Sequence, residues 1–267
     1  MLLMQYSKHK AILSAILGLL LVVGAVFWYV KTHTDQAPVG RMVTVTVPDG
    51  LRKEQTADIF AQTLGWTKEQ KRKFIVEDTA RDFNHVDGVF PGGLYTISTA
   101  SSTYEVASML LDVGNARYQE LGSDLTPDEW YEVLKVAAIV EKEAVSPDMN
   151  EMERIAGTIW EKRRSGTLIK SDATVAYARD SSLNYYDNPC QQDAVPEKKP
   201  FGDGPPCAAW RLNYHGTYAE EHGWWNPVTE DDRKLDLGYN TYVYPGLPQH
   251  PIDTPSREAI LATLATR

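Results

Sequence analysis

The chain has 267 residues, a formal net charge of −9 and a hydrophobic content of 43%, enough for two modest domains with cores of their own. All 36 acidic residues but only 25 of the 27 basic ones lie beyond residue 30, and an acidic body of that kind argues against nucleic-acid or anionic-lipid binding as the main task. There is no phosphate-binding loop, no glycine fingerprint after a strand and no His-Glu-x-x-His, so no cofactor or metal is expected.

Residues 1–10 read as a short cytoplasmic tail. Residues 11–30 carry no charge and match one helical crossing of a bilayer. Phe27, Trp28 and Tyr29 suit the outer interface, and Lys8 and Lys10 favour a cytoplasmic N-terminus. A cleaved signal peptide is the alternative, but the apolar run is long for one. Residues 31–41 form a polar linker.

Residues 42–120 read as a small α+β, membrane-proximal module. Met42–Val47 alternates as a strand, and Pro48-Asp49-Gly50 is a turn. Gln55–Leu64 and Lys68–Thr79 read as helices, the basic run Lys68–Lys73 as a solvated face. Asp87–Pro91 is a turn and Leu94–Ile97 a short strand. Ser101 or Ser102 starts a helix through Val106, Met109 and Leu110.

Residues 121–267 read as a mainly helical domain. Thr126-Pro127-Asp128-Glu129 is a capping box with proline in the first turn. The following run, Trp130, Val133, Leu134 and Val136 to Val140, is apolar around most of the helix and predicts burial on several sides. Glu141 and Glu143 close this helix about 200° apart, so both cannot enter one site. Burial and the helix C-terminus both favour a protonated carboxyl, as a general acid requires; the alternative is a solvated or ion-paired glutamate. Ser146-Pro147-Asp148 predicts a second helix with Met152, Ile155, Ala156, Ile159 and Trp160 on one stripe, stopped by Gly166. Ser171-Asp172 can cap a third.

These residues resemble a family. IVEKEA with RIAGTIWEKR, then LIKSDATVAYA, then YNTYVYPGLPQHPIDTP from Tyr239 to Pro255 are similar to the motifs of the endolytic murein transglycosylases, the MltG/YceG-like family. The resemblance implies a membrane-anchored lyase on the extracytoplasmic side of the inner membrane. Its substrate would be peptidoglycan glycan strands, cut between N-acetylmuramic acid and N-acetylglucosamine with formation of 1,6-anhydro ends. It implies Glu143 as the catalytic acid, with Glu141 structural or beside the substrate. Asp172, Asn240 and Tyr242 would be groove residues, and peptidoglycan synthases would be neighbours. Departures from the motifs are Asp49 for Glu, Gly92-Gly93 for Asp-Thr, Lys170 for Gln and Gln249-His250 for Pro-Gly. A hydrolytic muramidase using Glu143 with Asp172, and a non-catalytic wall-binding scaffold, are the rival classes.

Residues 185–226 depart from the family as an irregular, loop-rich insertion. They hold Cys190 and Cys207, which in an exported chain would pair across about 18 residues, stabilising by roughly 3 kcal/mol. Tyr214, Tyr218, Trp224 and Trp225 are candidates either for stacking on sugars or for pinning the loop. His215 and His222 are a weak metal signal. A last helix is expected over Ser256–Thr266.

Overall fold

The computed structural model describes residues 40–79, 87–146, 148–184 and 214–267. The fold is α+β, mostly helical, with one two-stranded sheet among the described residues. Residues 11–30, Cys190 and Cys207 lie outside the described residues, and no helix within them is long and apolar enough to cross a membrane.

Strand β1 (Met42–Val47) buries Val45 and Val47 and pairs antiparallel with β2 (Gly93–Ser98), Met42 opposite Ser98 and Val47 opposite Gly93. Between them lie α1 (Lys53–Leu64) and α2 (Lys68–Lys73), and α2 buries none of its residues. The sequence predicts one helix to Thr79. Instead the helix widens over Phe74–Asp78 into a π turn, which pushes Phe74, Ile75 and Val76 into the core. Widening disturbs the usual backbone bonding. The Ile75 carbonyl accepts from Lys53 Nζ at 2.8 Å and from Thr79 Oγ1 at 2.8 Å.

Helix α3 (Thr103–Leu121) starts at Ser102, whose side chain and Glu105 complete a capping box. Val106, Ala107 and Leu110 face the sheet core with Phe60, Phe74 and Phe90. Helix α4 (Pro127–Glu143) begins with the predicted box of Thr126 and Glu129. Trp130, Val133, Leu134 and Val136 to Val140 are all buried, so α4 is the axis of a second core. Around it pack α5 (Met149–Ser165), capped by Asp148 and stopped by Gly166 at φ +69°, α6 (Asp172–Asn184), and the last helix. Helix α7 (Thr217–His222) is short and buries no residue. Helix α8 (Arg257–Ala265) is capped by Ser256, and Trp160 Nε1 donates to the Thr263 carbonyl across the α5–α8 contact at 3.1 Å.

Residues Met42–Arg267 form one compact unit in which these two cores meet. Gly50 N–H donates to Thr254 O at 2.8 Å, and Thr254 N–H returns the bond to Leu51 O at 2.9 Å. Beside this bridge lies a buried polar layer. Arg52 is completely buried, with Nη2 donating to Ser181 Oγ at 2.7 Å and its guanidinium 4.2 Å from the Tyr177 ring and 4.1 Å from the Trp224 ring. Asp87, also completely buried, accepts from Lys53 N–H at 2.7 Å and from Tyr177 Oη at 2.7 Å. Thus Trp224, with Tyr214 in the core below, pins the last part of the insertion to the body of the protein. Trp225 does the same through N–H to Asp180 at 2.7 Å and Nε1 to Gln55 at 3.0 Å.

Burial pushes the Asp87 carboxyl up from 3.8 to about 7, with the nearby Glu54 carboxylate adding to the rise. A raised carboxyl binds more protons folded than unfolded, so its stabilising contribution is fully present below the unfolded value and is lost as pH rises through the folded one. Asp87→Asn is therefore expected to flatten the pH dependence. Urea unfolding at about pH 5 and about pH 7.5 should show wild type losing stability relative to the variant over that interval. A constant difference between the two would refute the assignment.

Candidate active site

The last turn of α4 sends its charged residues in different directions. The Glu141 carboxylate accepts from both the N–H (3.1 Å) and the hydroxyl of Ser256. It is thereby committed to the residue that caps α8, and it is not in a groove. Lys142 turns to the Asp49-Gly50 turn and donates to the Gly50 carbonyl, with Asp253 at 3.3 Å and the Trp225 ring at 4.4 Å. Glu143 is exposed, and its Oε1 accepts from Ser171 Oγ at 2.6 Å. The helix ends there because Ala144 turns extended (φ −72°, ψ 129°).

Glu143 stands at the edge of a groove of about 270 Å3. Ile139, Ile159 and Ile169 supply its apolar floor. The N-terminal half of α5 forms the facing wall with Glu151, Arg154, Ile155 and Thr158, and Lys170 and Ser171 close the end. This size is near the lower end of ligand pockets. Glu143 was expected to be desolvated by its helix. It is not; desolvation would come from whatever covers the groove.

Thr241 holds the groove's end wall. Its carbonyl accepts from Lys170 N–H at 3.1 Å, its hydroxyl from Ser171 N–H at 3.0 Å, and it meets Thr174 Oγ1 at 2.8 Å. These bonds hold Lys170 at φ +60°, a left-handed conformation that costs a side-chain-bearing residue energy. They also set Ser171 against Glu143.

The other expected site residues lie elsewhere. Asn240 is a correction: it is completely buried, its amide donates to the carbonyls of Arg233 (3.1 Å) and Leu235 (2.8 Å), and its oxygen accepts from Tyr242 N–H (3.0 Å). It shapes the loop and offers nothing to a ligand. Asp172 takes Arg233 in a two-pronged pair at 2.8 and 2.7 Å and accepts from Tyr242 Oη at 2.8 Å. The hydrogen bonds from Arg233 hold the Asp172 carboxyl below its ordinary value. Among the described residues, Asp172, Asn240, Tyr242 and Glu141 do not line the groove beside Glu143. His215 Nδ1 sits 3.1 Å from Thr217 Oγ1, and His222 stacks on Tyr218 at 4.5 Å.

The model of the YceG-like family matches residues 29–267. The chain belongs to the YceG-like family. Among solved structures, the yceG-like protein of Listeria monocytogenes has the same fold, with a TM-score of 0.60 and 18% sequence identity over 84% of this chain and 67% of that one. No curated protein sequence matches the chain.

In this YceG-like chain, reading the sequence missed Ser171 and Thr241 as site residues. Both stand inside motifs already singled out, next to the more conspicuous Asp172, Asn240 and Tyr242. The available signal was chemical: two small hydroxyl residues flanked by charged and aromatic ones, of a kind that bonds readily to a nearby backbone N–H, as Thr241 does, or to a carboxylate, as Ser171 does. Thr241→Val keeps the shape but leaves the buried Ser171 N–H without its partner. It is expected to cost about 1–3 kcal/mol in urea unfolding, with Thr241→Ser recovering most of it. Equal stability of all three proteins would remove Thr241 from this role.

Proposed function

We propose that this protein is an endolytic peptidoglycan lytic transglycosylase whose general acid is Glu143. The observation that carries the reading is the separation of its two glutamates: Glu141 is consumed in holding Ser256, whereas Glu143 opens on the groove with, among the described residues, a single hydrogen-bond donor, Ser171. Family membership supports a murein substrate.

The reaction needs only one carboxyl group. Protonated Glu143 gives its proton to the glycosidic oxygen between N-acetylmuramic acid and N-acetylglucosamine as the C1–O bond breaks. Glu143, now a carboxylate, takes the proton of the muramyl C6 hydroxyl while O6 bonds to C1. The products are a free 4-hydroxyl and a 1,6-anhydro end; the enzyme regains its proton and no water is consumed. Ser171 Oγ–H, bonded to Oε1, steadies the carboxylate in the charged half of the cycle and leaves Oε2 to face the sugar. Residues 11–30 would anchor the enzyme in the cytoplasmic membrane with its groove outside, beside the synthases that extrude new strands. In that compartment Cys190 and Cys207 would be oxidised to a disulfide.

Hydrolysis is the second reading. It needs a second carboxylate across the bond. Asp172 is tied to Arg233 and Tyr242, so Glu151 on the facing wall is the residue that reading would use.

The full-length protein and its Glu143→Gln, Glu141→Gln and Glu151→Gln variants should be incubated with glycan strands and the ends weighed by mass spectrometry. Anhydromuramyl ends are expected from wild type, Glu141→Gln and Glu151→Gln, with Glu143→Gln down at least about a hundredfold, the lower range for a lost general acid. Hydrated reducing ends that vanish with Glu151→Gln would make the protein a muramidase. Wall binding without cleavage, indifferent to all three changes, would make it a scaffold.

A further inference from the structure

The groove beside Glu143 has an electrostatic feature that the acid chemistry does not use. Arg154 and Lys170 line it from opposite elements, Arg154 from α5 and Lys170 from the segment before α6. Both are exposed, and neither has an ion-pair partner among the described residues. Most arginines of this chain differ in that respect, Arg164 on the same helix being a further exposed one without an ion pair among the described residues. Arg52, Arg117, Arg163, Arg179, Arg233 and Arg257 each sit on a carboxylate. In an acidic protein with net charge −9, carboxylates are not scarce.

Two further observations separate these cations from ordinary solvated ones. Lys170 is one of only two non-glycine residues at positive φ among the described residues. The Thr241 bonds that hold it there put the strain at the groove and nowhere else on that segment. The third cation of the lining, Lys162, is occupied, with Nζ donating to the Ile169 carbonyl at 2.7 Å. The groove therefore presents Arg154 and Lys170 as donors against Glu143 and Glu151, and Glu143 is bonded to Ser171 while Glu151 Oε2 lies 3.4 Å from Ser146 Oγ.

The geometry points to an anion subsite formed by Arg154 and Lys170, which takes a carboxylate carried on the substituent at C3 of the muramyl sugar. It rests on the glycan-strand reading above. A glycan of alternating N-acetylated sugars is neutral in its rings. Its charge sits on the C3 ether: a stem peptide ends in and bears carboxylates, and a strand stripped of peptide leaves the lactyl carboxylate itself. Arginine offers the planar fork that matches a carboxylate, and lysine a mobile point charge. A subsite of this kind fixes which sugar of the pair lies over Glu143. The muramyl ring alone carries the anion, so the cut falls on its C1 and never on that of the glucosamine.

The test uses full-length protein in a Glu143→Gln background, so that binding is read without turnover. Three glycans of equal length serve as probes: stem-bearing strands, amidase-stripped strands and chitin oligomers. Arg154→Gln and Lys170→Gln are each expected to weaken the acidic glycans about fivefold, the upper range for an exposed ion pair, and to leave chitin unchanged. Lys170→Gln keeps the same Cβ and thus the same backbone demand, and Lys170→Arg should restore binding. Loss confined to stem-bearing strands would place the carboxylate on the peptide; loss confined to stripped strands would place it on the lactyl group. Weakening should fade as salt is raised. Equal affinity of the variants and their parent for both acidic glycans overturns the subsite. So does parallel loss on chitin, or equal binding of all three glycans before substitution. Products from wild type separate the two conclusions. If no anhydro ends form but the acidic preference is present and lost in the variants, the subsite stands and the transglycosylase falls. Glu143-dependent anhydro ends with indifferent variants give the reverse.

Discussion

Three consecutive charges at the end of α4 tie the molecule together. Glu141 accepts from Ser256 and so fixes the start of α8; Lys142 reaches the Gly50 carbonyl and Asp253; Glu143 takes Ser171. A regular helix spreads successive side chains by 100°, so three residues in a row necessarily address three directions. Each direction is a different part of the chain. The helix behind them is buried on nearly every side, from Val133 at 0% to Val140 at 0%, and cannot rotate to favour one partner over another. The position of Glu143 is thereby set by the packing of α4 together with the two neighbouring polar anchors.

The anchor at Lys142 is the least economical part of the design. Asp253 is completely buried, its oxygens lack a hydrogen bond of good geometry, and Lys142 Nζ lies 3.3 Å away. Burial pushes the Asp253 carboxyl well up despite the lysine beside it. Apolar residues of similar volume would often be as stable at such a place. What the polar layer provides is registration. Gly50 N–H, Lys142 and Leu51 bind the turn after β1 to Thr254 and to the end of α4, while Arg52 and Asp87 reach Ser181 and Tyr177 on α6. The sheet-bearing part is thus keyed to the helix that carries Glu143 by directional bonds, which an apolar seam would allow to slide.

Much of the framework was legible in the sequence because its signals are local. The Thr126–Glu129 box, the Ser102 cap, the Asp148 start and the Gly166 stop each depend on residues within one turn. The strands follow from alternation. Arg52-Lys53-Glu54 was not legible: three charges at a helix start look solvated, yet all three are buried, because their partners, Ser181, Asp87 and the Ile75 carbonyl among them, arrive from elsewhere in the chain. The π turn at Phe74 was hidden for a similar reason; nothing local distinguishes a widened turn from a regular one. Asn240 shows a different limit. A polar residue in a conspicuous motif invites a role at the ligand, but a loop turning as tightly as Leu235 to Tyr244 must also satisfy its own backbone, and Asn240 meets that need.

The short passage from Ala144 to Asp148 decides what Glu143 can face. So few residues cannot carry the chain far, so α5 must return beside α4. Its first two turns then form the opposite wall, which is why Glu151, Arg154 and Ile155 stand across from Glu143. The end wall comes from residues 169–171, held by Thr241 from a segment 70 positions later. Three stretches of chain thus line the groove: α4 and α5 are placed by their shared core, and the third is fixed by one threonine and one serine. Glu143 is positioned by a buried helix, and the end of the groove beside it is set by hydroxyl groups. Under the transglycosylase proposal, in which the attacking oxygen belongs to the substrate, that division would suit the reaction: the protein would hold its proton donor still and the shape of the groove would bring the sugar's own hydroxyl into line.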